Sequence, residues 1–162
     1  MKRLYLVRHA QAGPKDLTMS DAHRSLDAHG EKQATWLGAR LNQRGAKPDL
    51  ILSSPAQRAL RTASVIAEHI NVPRDVISVR ESLYLANMTE LSEIIRDLDD
   101  EFIDVMLFAH NPGITRFAQD LLGEWVERMP PCSIYCLDFS VRSWRVVTGG
   151  NAKLIFYDYP PL

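Results

Sequence analysis

Cysteine is nearly absent from this 162-residue chain: Cys132 and Cys136 are the only two. The stretch Ser133–Phe139 reads as a strand, and four residues along a strand cover about 13 Å. A disulfide needs Cα atoms within about 7 Å, so this pair is too far apart to bridge. No Cys/His pattern with zinc spacing accompanies them, and two buried thiols in a reducing compartment are expected. Long apolar runs are also missing. The first, Leu4–Val7, stops at Arg8, short of the roughly 7–15 residues of a secretory signal. No run approaches the roughly 20 residues that cross a bilayer, so a cytoplasmic protein without a membrane partner is expected. Nor is there an excess of one charge. Nineteen Lys+Arg against 20 Asp+Glu leave a net charge of -1, which argues against general nucleic-acid binding but allows a local cationic pocket. A Gly-x-x-x-x-Gly-Lys loop and an Asp-rich magnesium motif are both absent, which disfavours a nucleotide-dependent kinase or ATPase.

What remains is an ordinary globular composition, 46% hydrophobic and 24% charged, with no repeat, low-complexity tract or linker. One domain over residues 1–162 is expected. The apolar run Leu4-Tyr5-Leu6-Val7 predicts a short buried strand that ends in Arg8-His9-Ala10. An irregular stretch follows to about Leu26, and loops of that length inside compact domains are usually functional. Asp27 reads as the N-cap of a helix to about Arg44, with Ala34, Leu37, Gly38 and Leu41 on one face and Gly45 as its stop. Asp49–Ser53 is a second strand. Pro55 then opens a helix whose buried face is Ala59, Ala63, Ile66, Ala67 and Ile70, with Arg58 in its first turn. Val76–Val79 is a third strand. Asn87 and Glu90 form a capping box for a helix with Leu91, Ile94, Ile95 and Leu98 inward. Asp104–Ala109 is a fourth strand ending in His110, and Gly113–Leu122 a shorter helix. Beyond Pro130-Pro131, three strand-like segments are expected at Ile134–Phe139, Trp144–Val147 and Lys153–Tyr157. Strand–helix alternation followed by strands alone predicts a mixed, mostly parallel sheet with helices on both faces, a three-layer α/β/α sandwich.

In such sheets ligands sit beyond the C-terminal ends of the strands. Three strands here end in Arg8-His9, in Ser53-Ser54-Pro55-Ala56-Gln57-Arg58 and in His110-Asn111-Pro112. Arg8 and Arg58 offer planar forks suited to phosphate oxygens, and Arg58 also lies where a helix N-terminus favours an anion. His9 and His110 can be neutral near pH 7. A neutral imidazole facing phosphorus is a nucleophile, and a second that donates to the oxygens stabilises developing charge. Together they suit a two-step transfer through phosphohistidine in which guanidinium groups stand in for a metal.

Arg8-His9-Ala10 resembles the Arg-His-Gly signature of the histidine phosphatase superfamily, the phosphoglycerate-mutase-like fold. Ser53 through Ala63 is similar to that family's Ser-Ser-Pro-x-x-Arg-Ala-x-x-Thr-Ala block, and His110-Asn111-Pro112 to its later histidine segment. The short chain, and Asp21-Ala22-His23-Arg24-Ser25-Leu26 leading to Gly30, look most like the small SixA-type phosphohistidine phosphatases. The resemblance implies a metal-independent, cofactor-free phosphatase with His9 as nucleophile and Arg8, Arg58 and His110 as the phosphate pocket. Arg24 would add a further phosphate or substrate contact. Phosphohistidine on a protein is the implied substrate; phosphate or sulfate would occupy the same pocket. Ala10 stands where the family has Gly, which is harmless at negative φ, the conformation expected.

Larger members place a Glu or Asp after the third strand to protonate an alkoxide leaving group, and Glu81 is the candidate here. With Glu81 as acid the chain would instead hydrolyse small phosphomonoesters. An imidazole leaving group needs less help. A mutase is disfavoured because little chain remains to retain a released intermediate. A non-catalytic phospho-binding module is the remaining reading, though all four pocket residues are retained. Trp36 is expected to pack against its helix, Trp144 and Tyr157 to cover the C-terminal sheet edge, and His29 and His69 to be solvated. Trp125, Met129 and Pro130-Pro131 are candidates for the pocket mouth.

Overall fold

The computed structural model describes residues 1–161 and contains one six-stranded sheet. Its strands are β1 Lys2–Arg8, β2 Leu50–Ser53, β3 Ile77–Val79, β4 Asp104–Ala109, β5 Ile134–Phe139 and β6 Lys153–Asp158. Their order is β3-β2-β4-β1-β5-β6. The β2–β3, β2–β4 and β1–β4 pairs are parallel, and β1–β5 and β5–β6 antiparallel. The sheet is thus mixed and mostly parallel toward the β3 edge.

Side-chain alternation along β1 splits the core in two. Leu4 and Leu6 face one way, with Leu91 and Ile95 of α3 (Met88–Arg96) and Ile114, Phe117 and Leu121 of α4 (Gly113–Leu122). Tyr5 and Val7 face the other, with Ala34, Leu37 and Leu41 of α1 (Ala28–Gln43) and Ala59, Ala63 and Ile66 of α2 (Gln57–His69). Two apolar layers on a sheet buried from both sides give the α/β/α sandwich. Local signals set the helix ends. Asp27 accepts from the Gly30 amide at 2.7 Å, both halves of the Asn87–Glu90 capping box form, and Gly123 ends α4 at φ 72°. Pro55 lies one residue before the Ala56 N-cap, outside the first turn of α2.

Two of the four α-helices among the described residues start on a glycine contact. A Cβ at Gly30 would lie 2.0 Å from the Gln11 carbonyl oxygen, and one at Gly113 1.9 Å from that of Ala86. The loop from Ala10 to Leu26 is pinned by an Ala12–Leu26 bridge and holds a short 3-10 turn, Asp21–His23.

The expected strand Trp144–Val147 is a 3-10 turn over Trp144–Val146. Trp144 sits in the α3/α4-side core and not over the sheet edge; its indole N–H donates to the Phe102 carbonyl at 2.8 Å and its amide to Asp100 Oδ1. Those bonds fix it as an anchor for the turn. Tyr157 does lie on the edge strand, stacked on Tyr135 at 4.4 Å. His69 is half-buried, not solvated. Its Nδ1 meets the Val65 carbonyl at 2.9 Å, and its Cβ abuts Gly38 of α1, leaving no room there for a side chain. His29 is exposed, and Trp36 packs against the α1/α2-side core. Cys132 and Cys136 are buried and free.

Candidate active site

Register brings the two histidines together. Arg8 pairs with Ala109 across the parallel β1–β4 ladder, so His9 and His110 leave neighbouring strand ends side by side. Their ring centroids are 5.2 Å apart. Arg58 enters from the first turn of α2, 3% exposed, and Arg8, at the end of β1, has NH1 donating to the Met129 carbonyl at 3.0 Å. Thr62, one turn after Arg58, donates to the Arg58 carbonyl at 2.7 Å and accepts the Ala10 amide at 3.0 Å. That joint ties the Arg-Ala-x-x-Thr stretch of α2 to the chain leaving β1. Ala10 has no positive φ, so a side chain there costs nothing.

The proton positions follow from the hydrogen bonds. His9 Nδ1 lies 2.8 Å from the Ala10 carbonyl, an acceptor, so Nδ1 carries hydrogen and Nε2 keeps its lone pair. His110 Nε2 lies 2.7 Å from Ser54 Oγ, which already accepts the Ala56 amide. That hydroxyl has no other acceptor among the described residues, so its proton goes to Nε2, and neutral His110 holds its own proton on Nδ1. Burial, followed by the neighbouring His110 and then Arg8 and Arg58, pushes His9 down to about 3 against the Ala10 carbonyl, which favours the charged ring. Burial and then Arg58 push His110 down to about 4. Both rings are neutral at pH 7. Arg8 is lowered to about 10 by burial, then by Arg128 and Arg58, and stays charged. Two buried donors find no protein partner among the described residues, Arg8 Nε and His110 Nδ1. Unmet buried donors are rare because each costs about 1–3 kcal/mol.

Arg24 and Glu81 are placed differently. Arg24 spends its guanidinium on the Gly13 carbonyl and on Asp21 Oδ1 at 3.0 Å, and meets Arg58 only through that carboxylate. Glu81 is exposed at the start of a 3-10 turn, Glu81–Leu83, and among the described residues no hydrogen bond or ion pair joins it to the cluster. Three residues later Tyr84 does reach in. Its ring lies edge-on to His110 at 5.7 Å and its hydroxyl donates to Asp21 Oδ2 at 2.5 Å. Met129 is buried, and its carbonyl accepts both Arg8 and Asn111. Ser54, Thr62, Asp21 and Tyr84 escaped the sequence reading as site residues. Ser54, Thr62 and Asp21 stood inside stretches singled out for other letters; only the fold shows what they touch.

Residues 4–84 match the family model of the histidine phosphatase superfamily (branch 1), and the chain belongs to that superfamily. A broad-specificity phosphatase of Saccharomyces cerevisiae is 32% identical over 135 residues, which are 80% of this chain and 56% of that protein. A putative phosphohistidine phosphatase SixA from Agrobacterium tumefaciens is 25% identical with a TM-score of 0.84, covering 99% of both chains. The structure of a protein histidine phosphatase SixA complexed with tungstate is 19% identical with a TM-score of 0.82, covering 97% of this chain and 96% of that one.

Proposed function

We propose that this protein is a metal-independent phosphatase acting on phosphohistidine carried by a protein, with the phosphoryl group passing through Nε2 of His9. The observation that carries the reading is the pair of neutral imidazoles that both feel Arg8 and Arg58, one offering a lone pair at Nε2 and the other an unmet N–H at Nδ1. His9 Nε2 attacks phosphorus as the bond from phosphorus to the substrate nitrogen breaks; Arg8, Arg58 and the His110 Nδ1–H stabilise the equatorial oxygens. The departing imidazole takes its proton from water. A water then attacks the phosphorus on His9, the P–Nε2 bond breaks, and phosphate leaves with His9 neutral again. Similarity to SixA proteins, one of them complexed with tungstate, an oxyanion shaped like phosphate, supports both the pocket and the substrate class.

Among the described residues no protonated carboxyl faces the cluster, since Glu81 is exposed and apart and Asp21 is ionised on Arg58, which favours an imidazole leaving group over an alkoxide. The broad-specificity phosphatase relative favours the second reading, small phosphomonoesters with Glu81 as acid. Turnover of a phosphohistidine protein against p-nitrophenyl phosphate and sugar phosphates separates the two. The phosphohistidine reading expects a preference of at least about 10² in kcat/KM and little change in Glu81→Gln, because general acid catalysis is worth about 10²–10⁴ only where it is needed. Faster sugar-phosphate turnover that collapses in Glu81→Gln overturns it.

A further inference from the structure

Arg58, read above as a phosphate ligand, already has both terminal nitrogens engaged by Asp21, one by its backbone carbonyl and one by its carboxylate. NH1 donates to the Asp21 carbonyl and NH2 to Asp21 Oδ2, each at 2.8 Å. The same Oδ2 accepts the Tyr84 hydroxyl, and Oδ1 accepts from Arg24 NH1 at 3.0 Å. The partners differ in burial: the Arg58 side chain is 4% exposed and that of Asp21 29%. The cation is fixed in the floor, whereas the anion sits at the rim on a three-residue turn. The Tyr84 hydroxyl, then Arg24 and Arg58, hold the Asp21 carboxyl well below the usual range, so it is charged whenever phosphate is.

We propose that the Asp21 carboxylate is an internal competitor for the phosphate clamp, exchanging with phosphate on NH2 of Arg58 while Tyr84 and Arg24 hold the displaced carboxylate. A guanidinium gives phosphate its best bidentate grip through paired N–H groups, and Asp21 takes one N–H of each terminal nitrogen, with its carboxylate on NH2. Two arginines and an imidazole donor, unopposed, would bind product phosphate as firmly as substrate, and release often limits turnover. A tethered anion weakens ground-state binding of every phosphate alike. Tyr84 and Arg24 make the exchange feasible, since the carboxylate keeps two donors after leaving Arg58.

An orienting role for Asp21 predicts the opposite sign, and this decides the matter. In Asp21→Asn the shape is kept and the charge removed. The competitive inhibition constant of inorganic phosphate should then fall about tenfold, the scale of one charge-assisted hydrogen bond, with KM falling alongside. An unchanged or raised constant overturns the proposal. Tyr84→Phe supplies a second reading should Asp21→Asn fold poorly. It removes a donor that holds the displaced carboxylate, so the phosphate inhibition constant should rise several-fold; no change or a fall overturns the proposal. Wild-type turnover in the same assay keeps the two readings apart. Its absence would defeat the phosphatase reading, while calorimetric binding of inorganic phosphate to wild type and Asp21→Asn still measures the exchange on Arg58.

Discussion

His9 and His110 sit at matched positions past the ends of adjacent parallel strands, 5.2 Å apart between ring centroids and tilted by 57°. That single register relation converts two residues a hundred positions apart in the chain into one chemical unit. A slip of one residue in the β1–β4 ladder would turn one of them to the other face of the sheet.

Both rings are neutral well below the pH at which a free imidazole charges, His9 to about 3 and His110 to about 4. Corrected for the substrate's own ionisation, kcat/KM should be flat from pH 8 to pH 5. A nucleophile titrating at the ordinary value of about 6.5 would instead lose roughly 30-fold by pH 5. A pH–rate profile with an acid limb centred near 6.5 contradicts the assignment.

The same shifts bear on stability. The folded chain keeps these imidazoles neutral while the unfolded chain protonates them below about 6.5, so the unfolded state binds more protons and stability falls as pH drops. The loss begins near 6.5 and runs on toward the folded values of about 4 and 3. Between pH 6.5 and 5 ordinary carboxylates hardly titrate, which isolates the histidine contribution. Thermal midpoints across that interval should decline in the wild type and decline less in His110→Asn.

Ser54 fixes the His110 tautomer through its hydroxyl. Ser54→Ala should lower kcat on the order of tenfold, short of the roughly 10²–10³ lost when an oxyanion donor itself is removed. KM should move less. Steady-state kinetics on a folded variant checks this, and an unchanged kcat would mean that Nδ1 of His110 does not need the serine to hold its proton.

Gly113→Ala would drive a methyl group into the Ala86 carbonyl at 1.9 Å. Because both sides are backbone, the corner between α3 and α4 must shift, at a cost of about 1–3 kcal/mol or more. Gly45→Ala is the control: nothing lies within 4 Å there, and only its φ of +73° opposes the change, worth about 1 kcal/mol. Chemical denaturation should rank the two in that order.

Much of this was legible in the letters. Apolar runs that end in Arg8-His9 and His110, Pro55 ahead of Arg58, and the Asp27 and Asn87 caps are local signals, and the structure uses them close to where they were read. The parallel sheet followed from strand–helix alternation. What stayed hidden depends on distant partners. Asp21 matters because Arg58, 37 positions away, donates to it, and Tyr84 because it meets Asp21 across 63. Trp144 has a β-favouring side chain, but the Asp100 carboxylate and the Phe102 carbonyl hold it in a 3-10 turn. No spacing rule announces such contacts. Arg24 and Glu81 illustrate the converse, since their charge type suited the chemistry while the loop and turn that carry them tie one to Asp21 and leave the other exposed.

The central claim is that phosphorus is bonded to one nitrogen, Nε2 of His9, during turnover. Rapid quench with a labelled phosphodonor, followed by peptide mapping and phosphorus NMR of the denatured protein, tests it directly. The expected result is an acid-labile, base-stable phosphoryl group on the peptide containing His9, in the Nε2 isomer, absent from His9→Ala and retained longer in His110→Asn. Label on another residue, or turnover with no phosphoprotein under any donor, would contradict the account.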